Sequence, residues 1–149
     1  MRVLVQRALK AELKINNKLF SSIEKGIVLF VGFTNGDDST TVLRMSEKIA
    51  KMRIFEDENG KTNLNLASVD GQILCVSQFT LYGSLKEGNR PSFTNCLSYE
   101  SASCLYELFL EKLKEKGFKV SRGVFGADMK VSLTNDGPFT LMLDDKELF

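Results

Sequence analysis

The run Ile27-Val28-Leu29-Phe30-Val31, introduced by Gly26, is apolar at every position. A half-buried strand needs only alternate apolar residues. An unbroken run needs cover on both faces, which predicts a strand in the middle of a sheet with protein on either side. Ile73-Leu74-Cys75-Val76, entered from Asp70-Gly71, is a second run of the same kind. A chain of 149 residues is long enough to supply that cover from one core, so one domain over residues 1–149 is expected.

The remaining segments show two periods. Asn35-Gly36-Asp37-Asp38-Ser39 supplies a turn and a helix cap, after which Val42, Met45, Ile49 and Met52 recur at spacings of three and four. Ser98 can cap a second helix with the stripe Ala102, Leu105, Phe109 and Leu113, ended by Gly117 and with Lys112, Lys114 and Lys116 near its C-terminal dipole. Elsewhere the period is two. Leu9 to Ile15 alternates with Lys10, Glu12 and Lys14 up to a hairpin turn at Asn16-Asn17, and Val3 and Val5 share the same odd-numbered face. Arg7 interrupts that face, as either a bulge or a charged residue with a task. Met129, Val131 and Leu133 alternate before Asn135-Asp136-Gly137-Pro138, and Phe139, Leu141 and Leu143 resume after it, which predicts two strands joined by a turn. Glu56 to Lys61 reads as a solvated turn. Strands, helix, strands, helix, strands is the order of an α+β domain.

Composition removes several chemistries. With no histidine, Ser-His-Asp and Cys-His catalysis and imidazole zinc sites are impossible. Cys75, Cys96 and Cys104 form neither a disulfide framework nor a four-cysteine site, and read as reduced structural thiols. No carboxylate cluster repeats with ligand spacing, so neither metal nor cofactor is expected. Twenty basic residues against nineteen acidic give a net charge of +1, so any RNA contact is local and no general attraction to an anionic membrane exists. No apolar stretch approaches the roughly 20 residues of a membrane span, and the N-terminal MRVLVQRALKAELK alternates with charges, so a cytoplasmic location is expected.

Two stretches read as more than scaffold. Ser77-Gln78-Phe79-Thr80-Leu81 follows the second apolar run. Its polar groups are either edge residues satisfied by neighbouring backbone, or a strand-end site where hydroxyl, amide and backbone N–H groups converge on a substrate carbonyl. In Asn135-Asp136-Gly137-Pro138 a hairpin turn accounts for the first three residues. The proline deletes a backbone donor where a returning strand should pair, admits a cis bond, and follows a glycine with no Cβ to shield nearby carbonyls. Such a loop can present bare main chain to another molecule.

Gln6-Arg7, Ser77 to Leu81, Gly88-Asn89-Arg90-Pro91-Ser92-Phe93, Phe125-Gly126-Ala127-Asp128-Met129 and Asn135 to Pro138 occur in an order and spacing that resembles the D-aminoacyl-tRNA deacylases, from Met1 to about Leu143. The resemblance implies a mixed, strongly curved, barrel-like sheet with two main amphipathic helices, assembled as a homodimer. It implies a hydrolase that cleaves the ester joining a D-amino acid, or mischarged glycine, to the terminal adenosine of tRNA. Ser77, Gln78, Phe79 and Thr80 would then line the reaction site. Gly137 and Pro138, joined by a cis bond, would reach into the partner subunit's site and exclude L-aminoacyl substrates, with Arg7 orienting their loop. Phe125, Gly126, Ala127 and Met129 would receive the terminal adenine.

The implied partners are a second copy and the aminoacyl-tRNA acceptor end. Lys86, Arg90 and Arg122 are candidates for phosphate contacts, or plain surface charges. The RNA's own vicinal hydroxyl would assist hydrolysis, leaving Ser77 and Thr80 as positioning groups, because nothing supplies an activating base for Thr80. Phe139 stands where many members of the family carry valine, which predicts a small local adjustment. The rival readings are a related deacylase type with a trans Gly-Pro bond, and a non-catalytic RNA- or protein-binding module on the same scaffold.

Overall fold

The computed structural model describes residues 1–149. Strand β1 (Arg2–Ile15) turns through Asn16-Asn17 into β2 (Lys18–Ile23) and on into β3 (Gly26–Gly32). Both asparagines take positive φ, 51° and 61°, the mirror-image turn whose twist suits paired strands. β2 and β3 pair in succession along one edge of β1, with Ile15 opposite Lys18 and Arg2 opposite Gly32. After helix α1 (Ser39–Lys51) come a hairpin of β4 (Arg53–Glu56) and β5 (Thr62–Asn65), and then β6 (Gln72–Ser77), parallel to β3. Helix α2 (Tyr99–Glu115) leads to β7 (Val120–Arg122), parallel to β6. β8 (Lys130–Asp144) then runs antiparallel along the other edge of β1, followed by the short helix α3 (Asp145–Leu148).

The sheet curls until its ends nearly meet. Ser21 Oγ donates to the Arg122 carbonyl at 2.8 Å and Ser121 Oγ to that of Ser22 at 3.1 Å, so side chains stitch β2 to β7 and give a nearly closed barrel. The two apolar runs hold the central positions predicted for them. Ile27, Leu29, Ile73 and Cys75 face a core shared with Val42, Met45 and Ile49 of α1 and Tyr106, Phe109 and Leu113 of α2. Val28, Leu74 and Val76 face a second core inside the curl, with Ala8, Ala11, Leu13 and Ile23. Adjacent residues of one strand thus enter different cores, which is why neither run alternates.

The helices start where polar side chains replace missing backbone partners. Asp38 caps α1, accepting from Thr41 N at 2.9 Å while its own N–H donates to Thr41 Oγ1 at 3.4 Å. Ser98 caps α2. Ala102, Phe109 and Leu113 are buried as predicted, but Leu105 is only partly covered, and Tyr106 keeps the helical period in its place, donating to the Cys75 carbonyl at 2.8 Å. No helix is long and apolar enough to cross a membrane.

Two strand expectations change. Asn135 to Pro138 is no hairpin turn, because β8 is continuous. Thr140 pairs with Gln6 and Asn135 with Ala8, so Asp136, Gly137, Pro138 and Phe139 bulge out opposite Arg7 alone. Leu9 is the extra residue of a second irregularity, between the pairs Ala8–Asn135 and Lys10–Thr134, and is half exposed. Ala11 and Leu13 therefore share the inner core with Ala8, while Val3 and Val5 lie beneath the helices. The Glu56 to Lys61 turn is found, and it joins β4 and β5, two four-residue strands too short to carry a legible period.

Candidate active site

Beyond Ser77, at the C-terminal end of β6, the Gln78 N–H donates to the Val31 carbonyl at 2.7 Å and the chain folds into a 3₁₀ turn over Phe79–Tyr82. Gly32 makes this possible, since a Cβ there would lie 2.8 Å from the Gln78 carbonyl oxygen and 3.2 Å from Leu81 Cβ. The turn is anchored from several sides. Arg2 Nη1 donates to the Leu81 carbonyl at 2.9 Å, is itself paired with Asp144 at 2.7 Å, and its guanidinium lies 4.7 Å over the Tyr82 ring. The Cys96 thiol donates to the Phe79 carbonyl at 3.4 Å. Between these anchors the N–H groups of Phe79 and Thr80 donate to no acceptor in the protein, as befits the first residues of a helical turn. Gln78 Nε2 donates to the Thr80 hydroxyl.

The turn borders a cavity of about 570 Å³, within the range of small-molecule sites. Ser77, Gln78 and Phe79 line it together with Phe125, Gly126, Ala127 and Met129, so the fold joins two predicted sets of residues far apart in the chain. Thr80 is exposed and joins this group through Gln78. Phe125 is clasped between Tyr99, edge-on at 5.0 Å, and Tyr106, tilted at 5.8 Å. Gly126 has φ +77°, and a Cβ there would lie 2.7 Å from the Tyr99 hydroxyl, so only glycine lets the segment pass that ring. Phe33, Leu97, Tyr99 and Ala102 extend the apolar wall. Sequence reasoning missed these four because each also fits a scaffold role. The one available signal was Tyr99, a large aromatic in the first turn of a helix.

Gly137 and Pro138 are exposed and stand outside this cavity. Their peptide bond is cis, and Gly137 has φ +127°. Arg7 is buried beneath them. Its Nε lies 3.1 Å from both the carbonyl and the carboxylate of Asp136, its Nη1 donates to the Ile54 carbonyl at 2.8 Å, and the guanidinium sits 5.1 Å from the centre of the Phe139 ring. Arg7 thus lies at a bulge and is also a charged residue with a task. Asn135 ties the bulge together, accepting from Phe139 N at 3.0 Å and donating to Thr140 Oγ1 at 2.8 Å.

The charged groups divide into committed and free. Arg122 grips both oxygens of Glu107, which holds that carboxyl below its ordinary range, and it also donates to the Gly123 carbonyl at 3.1 Å. This removes Arg122 as a free phosphate contact. Lys130 is paired with Asp128 at 2.8 Å. Lys86 and Arg90 are exposed and make no ion pair within the chain. Burial pushes the Cys75 and Cys96 thiols up, away from the nucleophilic thiolate. Thr80 has an amide as its side-chain partner and no base, an arrangement that positions the hydroxyl without activating it.

Comparison with known proteins gives this geometry a context. The family model of the D-Tyr-tRNA(Tyr) deacylases matches residues 4–144. A D-aminoacyl-tRNA deacylase of Lactobacillus acidophilus is 54% identical over 144 residues, covering 97% of this chain and 99% of its own. A D-aminoacyl-tRNA deacylase of Listeria monocytogenes serotype 4b is 50% identical over 148 residues, covering 99% of each. Among solved structures, the c-Myc DNA Unwinding Element Binding Protein has a TM-score of 0.91 at 36% identity, covering 97% of this chain and 98% of that one. A probable eukaryotic D-amino acid tRNA deacylase has a TM-score of 0.84 at 19% identity over 95% and 97% of the two chains, a likeness of fold alone. The chain is therefore a hydrolase of the aminoacyl-tRNA deacylase class. It belongs to the D-Tyr-tRNA(Tyr) deacylase family, and its Lactobacillus and Listeria relatives are named D-aminoacyl-tRNA deacylases.

Proposed function

We propose that this enzyme proofreads the chirality of aminoacyl-tRNA, hydrolysing D-aminoacyl and mischarged glycyl esters at the acceptor end and sparing L-aminoacyl esters. The observation that carries the reading is the pair of unpartnered N–H groups on Phe79, which lines the cavity, and on Thr80, the residue after it. An ester carbonyl accepting from both would have its oxygen stabilised as negative charge develops, and one such donor is worth about 2.7–4 kcal/mol in the transition state. Water adds to the carbonyl carbon, the bond from that carbon to the ribose oxygen breaks, and a proton passes from the water to the ribose oxygen, so that the free amino acid and tRNA leave. The chain has no histidine to move the proton, and the task is assigned to the vicinal hydroxyl of the substrate, as the resemblance to the family implies. Ser77, Gln78 and Thr80 orient the ester, while Phe125, Gly126, Ala127 and Met129 receive the adenine.

Selection against L-substrates is assigned to Gly137 and Pro138 of a partner subunit. Their loop is exposed, lies outside the cavity of its own chain, and is braced by Arg7, which suits a part that acts in another subunit. The outer edge of β8 has no strand partner and carries exposed Leu141 and Met142 beside the loop, which supports a homodimer. Bare main chain in the space meant for hydrogen rejects an L side chain by collision. A glycyl ester, with hydrogen on both sides, passes.

Incubation with D-tyrosyl-tRNA and L-tyrosyl-tRNA tests the reading. Release of tyrosine from the D-ester alone is expected, and equal release from both, or from neither, would overturn it. Light scattering is expected to give twice the chain mass.

A further inference from the structure

We propose that the ring pair Phe79–Phe93 is a second nucleotide subsite, which seats the base on the 5′ side of the terminal adenosine, with Lys86 and Arg90 supplying positive charge to the adjoining phosphates. The inference rests on the adenosine placement proposed above and extends it by one residue of RNA.

Phe79 belongs to the cavity wall, whereas Phe93 stands outside it, and their ring centres are 4.9 Å apart at 65°. Both rings are solvent-exposed, Phe79 at 56% and Phe93 at 38%. An aromatic surface therefore continues from the cavity onto the exterior. It is held in place by the local fold. Gly83 makes room for the outer ring, because a Cβ there would lie 3.0 Å from Phe93 Cε1. Ser84 and Ser92 exchange both backbone hydrogen bonds, at 2.9 and 2.8 Å, and so pin the base of the loop that carries Lys86 and Arg90.

Charge decides between the two aromatic ends of the cavity. Near Phe125, Arg122 is neutralised by Glu107 and Lys130 by Asp128, which leaves Lys14, opposite Lys130 in the sheet, as the single cation there without an ion pair. Near Phe93, Lys86 and Arg90 both lack a carboxylate partner, and Glu87 is the one acidic residue between them. An adenosine whose ester lies at Phe79 and Thr80 continues into the RNA only through its 5′ phosphate, and the end with two free cations on one loop complements that chain better. Stacking of one base on an aromatic side chain corresponds to roughly 5- to 100-fold in affinity.

The test compares D-tyrosyl-tRNA with D-tyrosyl-adenosine, which lacks the preceding nucleotide, on wild type, Phe93→Ala and Phe93→Leu. Both variants are expected to lose roughly 5- to 100-fold in kcat/KM on the tRNA, chiefly through KM, and to stay within about twofold of wild type on the adenosine ester. Phe93→Tyr is expected to restore the tRNA value. The double variant Lys86→Gln, Arg90→Gln is expected to reduce the slope of log KM against log salt by about 1.4, at about 0.7 per phosphate contact. Equal loss on both substrates would show that Phe93 merely supports Phe79, and no loss on either would show that the ring is unused. A halved mass for Phe93→Ala by light scattering would assign the pair to a subunit contact. Each of those results overturns the subsite. Failure of the wild type to hydrolyse either D-ester would instead remove the underlying reading along with it.

Discussion

Arg7 Nε donates to the main-chain carbonyl of Asp136 at 3.1 Å, placing a buried cation under a bulge in which four residues of β8 face one residue of β1. The same guanidinium reaches the Ile54 carbonyl and lies over Phe139. One side chain thus couples the β4–β5 hairpin, the β1–β8 pair and the loop of Gly137 and Pro138.

Arg7→Ala would leave the buried Ile54 carbonyl without its donor and the bulge without its brace. A stability loss of about 2–3 kcal/mol is expected in urea unfolding. Arg7→Lys keeps the charge but cannot satisfy Asp136 and Ile54 together, so an intermediate loss is expected. Wild-type stability in Arg7→Ala would show that the brace is ornamental.

Gly137→Ala places a Cβ 3.0 Å from Phe139 N and 3.1 Å from Arg7 Nη2, at a φ of +127° that alanine resists. The expected cost is about 1–3 kcal/mol, with a rise in the ratio of L- to D-tyrosyl-tRNA hydrolysis as the loop shifts. Thermal melts and paired deacylation assays measure both. An unchanged ratio in a folded variant would separate the loop from chiral selection.

Thr80→Ala removes a hydroxyl but keeps the N–H that the proposed mechanism uses. A fall in kcat of roughly tenfold or less is expected, equivalent to about one hydrogen bond. Removal of a true nucleophile costs on the order of 10⁶-fold, so single-turnover rates separate the two roles.

Asp144 makes part of the stability dependent on pH. Burial pushes its carboxyl up, but the hydrogen bonds from Arg2 and the Lys146 N–H outweigh burial and hold it below its ordinary range. A carboxyl with a folded pKa below its unfolded value of about 3.9 contributes stability above that pH and loses it as the pH falls through the folded value. Arg2 is partly exposed, so solvent screening limits the Asp144→Asn cost to about 1 kcal/mol at pH 7. The gap between the two proteins is expected to narrow below about pH 4. Urea titrations at several pH values test this, and a constant gap would exclude the ion pair as its source.

The sequence by itself determined the central strands, the Asn16-Asn17 turn, the helix starts and the exclusion of histidine chemistry. Each of these is local: an unbroken apolar run, a residue that tolerates positive φ, a side chain that caps free N–H groups, an absent imidazole. The motifs Ser77 to Leu81 and Phe125 to Met129 also supplied much of the cavity lining, although spacing alone showed neither which residues meet nor what clasps Phe125. Tertiary structure decided that Asn135 to Pro138 is a bulge and that Leu9 leaves the pattern, because register between β1 and β8 is set by pairing across more than a hundred residues. It also decided that Ser77 to Phe79 and Phe125 to Met129 share one cavity and that Arg122 is spent on Glu107. Periodicity tells each strand which face to bury, but only the packed sheet settles which strands stand beside each other and which charges remain free.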